Sequence, residues 1–131
     1  MVGLDTNVLL RYFFNSNDTQ TKVVVEYIEK NCSVEEPGFI SSVVLSELTW
    51  VLKSNYKLDK DVVIKLISKI LYCNELFVEN QECAIQALKA YEKGGADFSD
   101  YFIAHIAKHY KAKTTVTFDK KAGKYKLFEL L

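Results

Sequence analysis

The sequence is poor in the residues that break regular structure: of 131 residues one is proline and five are glycine. Such a composition excludes a collagenous or low-complexity chain, and no repeat or linker interrupts it. Its three cysteines, Cys32, Cys73 and Cys83, form no C-x-x-C pair. An odd count without metal spacing excludes a disulfide framework and predicts buried free thiols in a reducing compartment. No apolar run approaches the ~20 residues of a membrane span. The N-terminus lacks a basic segment and a small-residue cleavage site, and Asp5 interrupts its apolar start. No signal peptide is therefore expected, and a soluble, cytoplasmic protein is. Formal net charge is zero, so nothing global points to a polyanion.

What is present is apolar material: 49% of residues are hydrophobic and 13% aromatic. That suffices for a real core, and the length fits one compact domain spanning 1–131. The pattern alternates short strands with longer amphipathic helices. Strands are expected at "MVGL", "FISS", "LFVE" (76–79), "TTVTF" (114–118) and "KLFEL" (126–130). Helices are expected over 6–14, 18–31, 42–55, 60–72, 80–93 and 98–110. In the second, Val23, Val24, Tyr27 and Ile28 share the predicted inner face. Strands alternating with helices predict an α/β fold with a parallel sheet covered on both faces.

Ligands of such folds bind beyond the carboxyl ends of the strands. Asp5 follows the first strand directly and Asp119 follows "TTVTF". On the third helix Glu47 shares a face with Val43, Val44, Trp50 and Val51, which predicts at least partial burial. Asp100 shares a face with Ile103, Ala104 and Ala107, and Asp97 lies one turn before it. Each acid alone has a plain structural explanation: a salt bridge for Glu47, a helix cap for Asp5 or Asp97, a favourable first-turn position for Asp100. Together, two lie at strand ends and two on inward helix faces. Clustered carboxylates repel unless some protonate or a cation joins them. Mg²⁺ or Mn²⁺ suits an all-oxygen cluster.

Other constellations carry less. His105 and His109 stand at i,i+4 spacing without the glutamate or third ligand of a zinc site, and read as helix surface. No glycine-rich phosphate loop is present, and Ser41, Ser42 and Ser46 lack a nucleophile-elbow context. The cluster "RYFF" (11–14) reads as core. From Tyr101 to Leu131 the charge is lopsided: seven lysines (Lys108, Lys111, Lys113, Lys120, Lys121, Lys124 and Lys126) face two acids, Asp119 and Glu129. That end can meet a polyanion or be a solvated surface.

The stretches "LDTNVLLRYF", "FISSVVLSELTWVL", "GADFSDYFIAHIAK" and "TTVTFDKKAGK" resemble, in order and over nearly the whole chain, those of PIN-domain ribonucleases of the VapC toxin type. The resemblance implies a three-layer α/β/α sandwich with a central parallel sheet. It implies a metal-dependent endoribonuclease, toxin of a toxin–antitoxin pair, that uses Mg²⁺ or Mn²⁺. Asp5, Glu47, Asp100 and Asp119 match the four acids of that family, Asp97 an extra acid, and Asn7 and Thr117 polar residues that orient ligands or water. Lys120, Lys121 and Lys124 become candidates to hold RNA. An antitoxin protein and a second copy of the chain are the implied partners. Two rivals stand beside this reading. An aspartyl phosphatase wants a second Asp where Asn7 stands, and a non-catalytic interaction module would use the acids only as caps.

Overall fold

The computed structural model describes residues 1–14 and 18–131. The strands are β1 (Val2–Gly3), β2 (Gly38–Ile40), β3 (Leu76–Val78), β4 (Thr115–Thr117) and β5 (Phe128–Leu130). The helices are α1 (Thr6–Phe13), α2 (Thr19–Asn31), α3 (Ser42–Ser54), α4 (Lys60–Leu71), α5 (Gln81–Lys93) and α6 (Phe98–His109). A short 3-10 turn at Ala122–Lys124 joins β4 to β5. This is the expected three-layer α/β/α arrangement of parallel strands and helices, with element limits within about two residues of those read from hydrophobic periodicity.

Helix starts are set by short polar side chains. Asp18 Oδ1 accepts the Thr21 N–H at 2.7 Å and Ser41 Oγ the Val44 N–H at 3.1 Å, each satisfying an orphan donor of a first turn. The strands pair in parallel in two groups. β1, β2 and β3 form one ladder, β4 and β5 another, and no bond joins the two groups among the described residues. The parallel sheet is thus divided.

The core lies between these ladders and their helices. Leu45, Leu48 and Leu52 of α3, Ile67, Ile70 and Leu71 of α4, Tyr91 of α5, and Phe98 and Phe102 of α6 are all buried. Each such side chain contributes about 1.5–3 kcal/mol relative to exposure. Tyr12, Phe13 and Phe14 pack against this core, as "RYFF" predicted. Cys32 and Cys83 are buried, Cys73 is half-buried, and all three are free. No helix among the described residues is long and apolar enough to cross a membrane.

Two helix faces differ from expectation. On α2 the inward residues are Thr21, Val24 and Ile28, while Val23 and Tyr27 are exposed. On α3 the buried face is Leu45, Leu48, Thr49 and Leu52, which leaves Val43 and Trp50 in solvent. Both helices are apolar around much of their circumference, so periodicity alone does not single out one stripe.

Candidate active site

Asp5 caps α1. Its Oδ1 accepts the Thr6 N–H at 2.8 Å, and the side chain is otherwise open to solvent just beyond β1. Beneath it Thr6 is 3% exposed, with a hydroxyl that has no hydrogen-bond partner among the described residues. Asn7, the next residue of α1, is exposed and lines a shallow groove with Val8, Arg11, Thr19 and Val24.

The acids of α6 lie in a different setting. Asp97 is the N-cap residue and Asp100 stands at the third helical position. Asp100 Oδ2 accepts the Asp97 N–H at 3.3 Å. Asp97 is exposed and Asp100 half-buried. From α3, Lys53 Nζ donates to Asp97 Oδ1 at 3.4 Å. A cavity between α3 and α6 is lined by Trp50, Lys53, Tyr91, Asp97, Phe98 and Asp100. Burial pushes the Asp100 carboxyl above the usual carboxylate range, and the charges of Asp119 and Asp97 add to that rise.

The charge of Asp119 is thus felt at Asp100 from the other end of the chain. It follows β4 after one intervening residue, Phe118. Its Oδ1 accepts two backbone N–H groups, from Lys121 at 2.8 Å and Ala122 at 3.0 Å. Its own N–H donates to Thr117 Oγ1 at 3.0 Å, so Thr117 orients the acid through the backbone. Oδ2 is the oxygen left for a ligand. Lys120, Lys121 and Lys124 follow, all exposed.

The structure thus brings Asp97, Asp100 and Asp119 into one electrostatic neighbourhood. It keeps Asp5 and Glu47 exposed. Glu47 in particular is not drawn inward, because α3 buries the neighbouring stripe. Among the described residues no three His, Cys, Asp or Glu side chains stand close enough to hold one ion together. The donor chemistry nonetheless fits a hard divalent cation. Every donor is a carboxylate oxygen, and Asp100 sits half-buried among like charges that a cation would neutralise. Lys53 supplies part of that neutralisation. Sequence reasoning missed Lys53, although its spacing of three from Trp50 along α3 places it on one side of the helix beside Glu47.

A three-layer α/β/α domain with an acidic site at a helix start and a strand end is the class that fold and site define. The chain belongs to the PIN domain family, which matches residues 2–126. It is also similar to a VapC ribonuclease of Aquifex aeolicus (strain VF5), 29% identical over 122 residues, which is 92% of this chain and 89% of that protein.

Proposed function

We propose that this chain is a metal-dependent endoribonuclease and the toxin of a toxin–antitoxin pair. The observation that carries the reading is the half-buried Asp100 carboxyl at the start of α6, which accepts the Asp97 N–H and lines a cavity with Asp97 and Lys53. It supports the reading in a chain whose family match runs almost end to end and whose relative is named a ribonuclease.

Asp5, Glu47, Asp100 and Asp119 would hold Mg²⁺ or Mn²⁺, with Asp97 as the extra acid. Such an ion, when bound, offsets charge on the scissile phosphate and makes a water more acidic. Asp119 is fixed by two N–H donors on one oxygen, so its Oδ2 can accept a proton from the attacking water without swinging. Asn7 and Thr117 would orient ligands or water. Water attacks phosphorus, the bond to the leaving 3′ oxygen breaks, that oxygen takes a proton from solvent, and a 5′-phosphate and a 3′-hydroxyl result. Lys120, Lys121 and Lys124 would hold RNA phosphates beside Asp119. Specificity for a folded RNA would come from shape and unstacked bases. An antitoxin protein, self-association as a homodimer, a single domain over 1–131 and a cytoplasmic location complete the proposal.

One observation favours a second reading. Asp5, Asp100 and Asp119 each accept a backbone N–H, as the caps of an interaction module would. A melt with and without Mn²⁺ separates the two. At a hundred times its dissociation constant a ligand of the native state adds about 2.7 kcal/mol. For 131 residues that raises the melting temperature by about 10 °C. The same protein should cut structured RNA with Mn²⁺ and stop with EDTA. An unmoved melt together with undiminished cleavage in EDTA would sink the metal mechanism.

A further inference from the structure

The second strongly charged feature of the molecule lies away from the acids' cavity. The last two turns of α5 bring Lys89 and Lys93 to one wall of an open cleft. The opposite wall is the segment after Asp119, with Lys121, Lys124 and Lys126. Two depressions share Gly94, Tyr101 and Tyr125 and so form one continuous channel. All five lysines are exposed, and no acid lines the channel. None of the five has an ion-pair partner among the described residues.

The walls are pre-set by contacts behind them. The Tyr125 hydroxyl meets His105 Nε2 at 2.7 Å, and the Tyr125 ring stands edge-on to Tyr101 at 4.9 Å. The Tyr101 hydroxyl in turn accepts the Ala96 N–H at 3.2 Å. Lys60 Nζ donates to the Gly94 carbonyl at 2.7 Å and fixes the rim. Five cations gathered in a chain of zero net charge repel one another unless an anion joins them. The channel also runs into the acids, because the Lys121 that lines it holds Asp119 Oδ1 through its backbone N–H.

We propose that this channel binds the phosphodiester backbone of RNA on one side of the cleavage point, through Lys89, Lys93 and Lys126, with Tyr125 as the flat surface against which a base or ribose lies. The proposal rests on the nuclease reading above, and adds to it a substrate track in which Lys89 and Lys93 of α5 face Lys126 across the channel. Continuity with Asp119 favours RNA over an acidic protein segment. Aromatic faces on which bases stack, set in a positively charged groove, are how proteins hold single strands.

The test is equilibrium binding in EDTA, where nothing depends on metal or on cleavage. The probe is a fluorescein-labelled hairpin RNA with single-stranded tails, read by anisotropy from about 0.05 to about 0.3 M salt. Each phosphate contact to a single strand contributes about 0.7 to the slope of log affinity against log salt. The triple variant Lys89→Ala, Lys93→Ala, Lys126→Ala should flatten the slope by about 2 and weaken binding on the order of a hundredfold at about 0.1 M salt. The triple Lys→Arg variant should keep the wild-type slope. A control of equal charge loss elsewhere (Lys22→Ala, Lys30→Ala, Lys65→Ala) should keep it too. The proposal is overturned if the channel variant binds like wild type, if the control loses as much, or if wild type shows no RNA binding at low salt. It is also overturned if the channel variant changes only self-association, which would give the channel to a second copy of the chain. Binding through the channel without cleavage in Mn²⁺ would remove the nuclease reading alone. Cleavage with an unmoved slope would remove the channel alone.

Discussion

Gly94 and Gly95 are neighbours in sequence with opposite tolerance for a side chain. Gly94 ends α5 with φ −106° and ψ 175°, extended backbone that alanine adopts freely. A Cβ placed there overlaps the Tyr101 hydroxyl, comes within 2.8 Å of Tyr101 Cζ and within 3.2 Å of the Ala90 carbonyl. Tyr101 cannot swing aside: it is 2% exposed and held edge-on by Tyr125. Gly94→Ala should therefore force the ring to shift, at about 1–3 kcal/mol for overpacking. It should also strand the Ala96 N–H that the Tyr101 hydroxyl accepts, for about 1–3 kcal/mol more. The smaller freedom of the unfolded alanine chain returns about 0.4–1 kcal/mol. The net loss is about 2–5 kcal/mol, which for 131 residues lowers the melting temperature by about 7–18 °C. At Gly95 a Cβ meets nothing within 4 Å, so Gly95→Ala should raise melting by a few degrees, on the order of 0.4–1 kcal/mol. Scanning calorimetry of both variants decides the matter. Adding Tyr101→Phe to Gly94→Ala removes the hydroxyl overlap and leaves the Cζ contact, so recovery should be partial. Because Tyr101 follows Asp100 on α6, RNA cleavage should fall with stability in Gly94→Ala. If Gly94→Ala melts with Gly95→Ala, the close approach is not real and the rim of the channel is misplaced.

The remaining predictions concern the α6 acids. Asp100 has a folded pKa raised above its unfolded one, so its favourable contribution is complete below the ordinary carboxylate range and is lost as pH rises through the raised value. Metal-free Asp100→Asn should thus melt higher than wild type at neutral pH. That advantage should shrink as pH falls through the raised value, while RNA cleavage is nearly abolished; a wild-type cleavage rate in this variant would take Asp100 out of the mechanism. Asp97→Asn should retain the cap and Asp97→Ala lose about 1 kcal/mol of stability, because both residue types differ chiefly in capping. The Lys53 ion pair, with side chains 45% and 70% exposed, should add little to that loss. A chemical melt in which the two Asp97 variants coincide would contradict the N-cap assignment.

The order and type of the five strands and six α-helices were legible in the sequence because short apolar runs alternate with longer stretches whose apolar residues recur at helical spacing. What was not legible has specific causes. Val23, Val24 and Val25 in a row on α2 leave two candidate stripes, and the buried Thr21 that chooses between them looks polar on paper. On α3 the same ambiguity turned Glu47 outward. Ile103, read as core beside Asp100, is exposed for a related reason: α6 buries Phe98, Tyr101, Phe102 and Ala104, a stripe rotated from the one expected. The positions of Asp5 and Asp119 at strand ends followed from alternation alone. That the charge of Asp119 is felt at Asp100, however, depends on how β4 lies against α6, and a three-residue strand has too little periodicity to show it. Lys89 and Lys93 belong to an ordinary charged helix surface until the third dimension sets Tyr125 and Lys126 across from them.

The division of the parallel strands into two ladders has a bearing on how substrate and chemistry stay in register. β4, the 3-10 turn and β5 are one hydrogen-bonded loop of chain: the Thr115 N–H donates to the Leu127 carbonyl, the Leu131 N–H to the Thr117 carbonyl, and the Gly123 N–H to the Asp119 carbonyl. Asp119, Lys120, Lys121, Lys124 and Lys126 all ride on it. Among the described residues no ladder ties this unit to β1, and it packs against α6 through β4. If those lysines hold RNA as proposed, the phosphate contacts and Asp119 sit on one hydrogen-bonded segment, and tension on the bound strand would carry the carboxylate along with the phosphate.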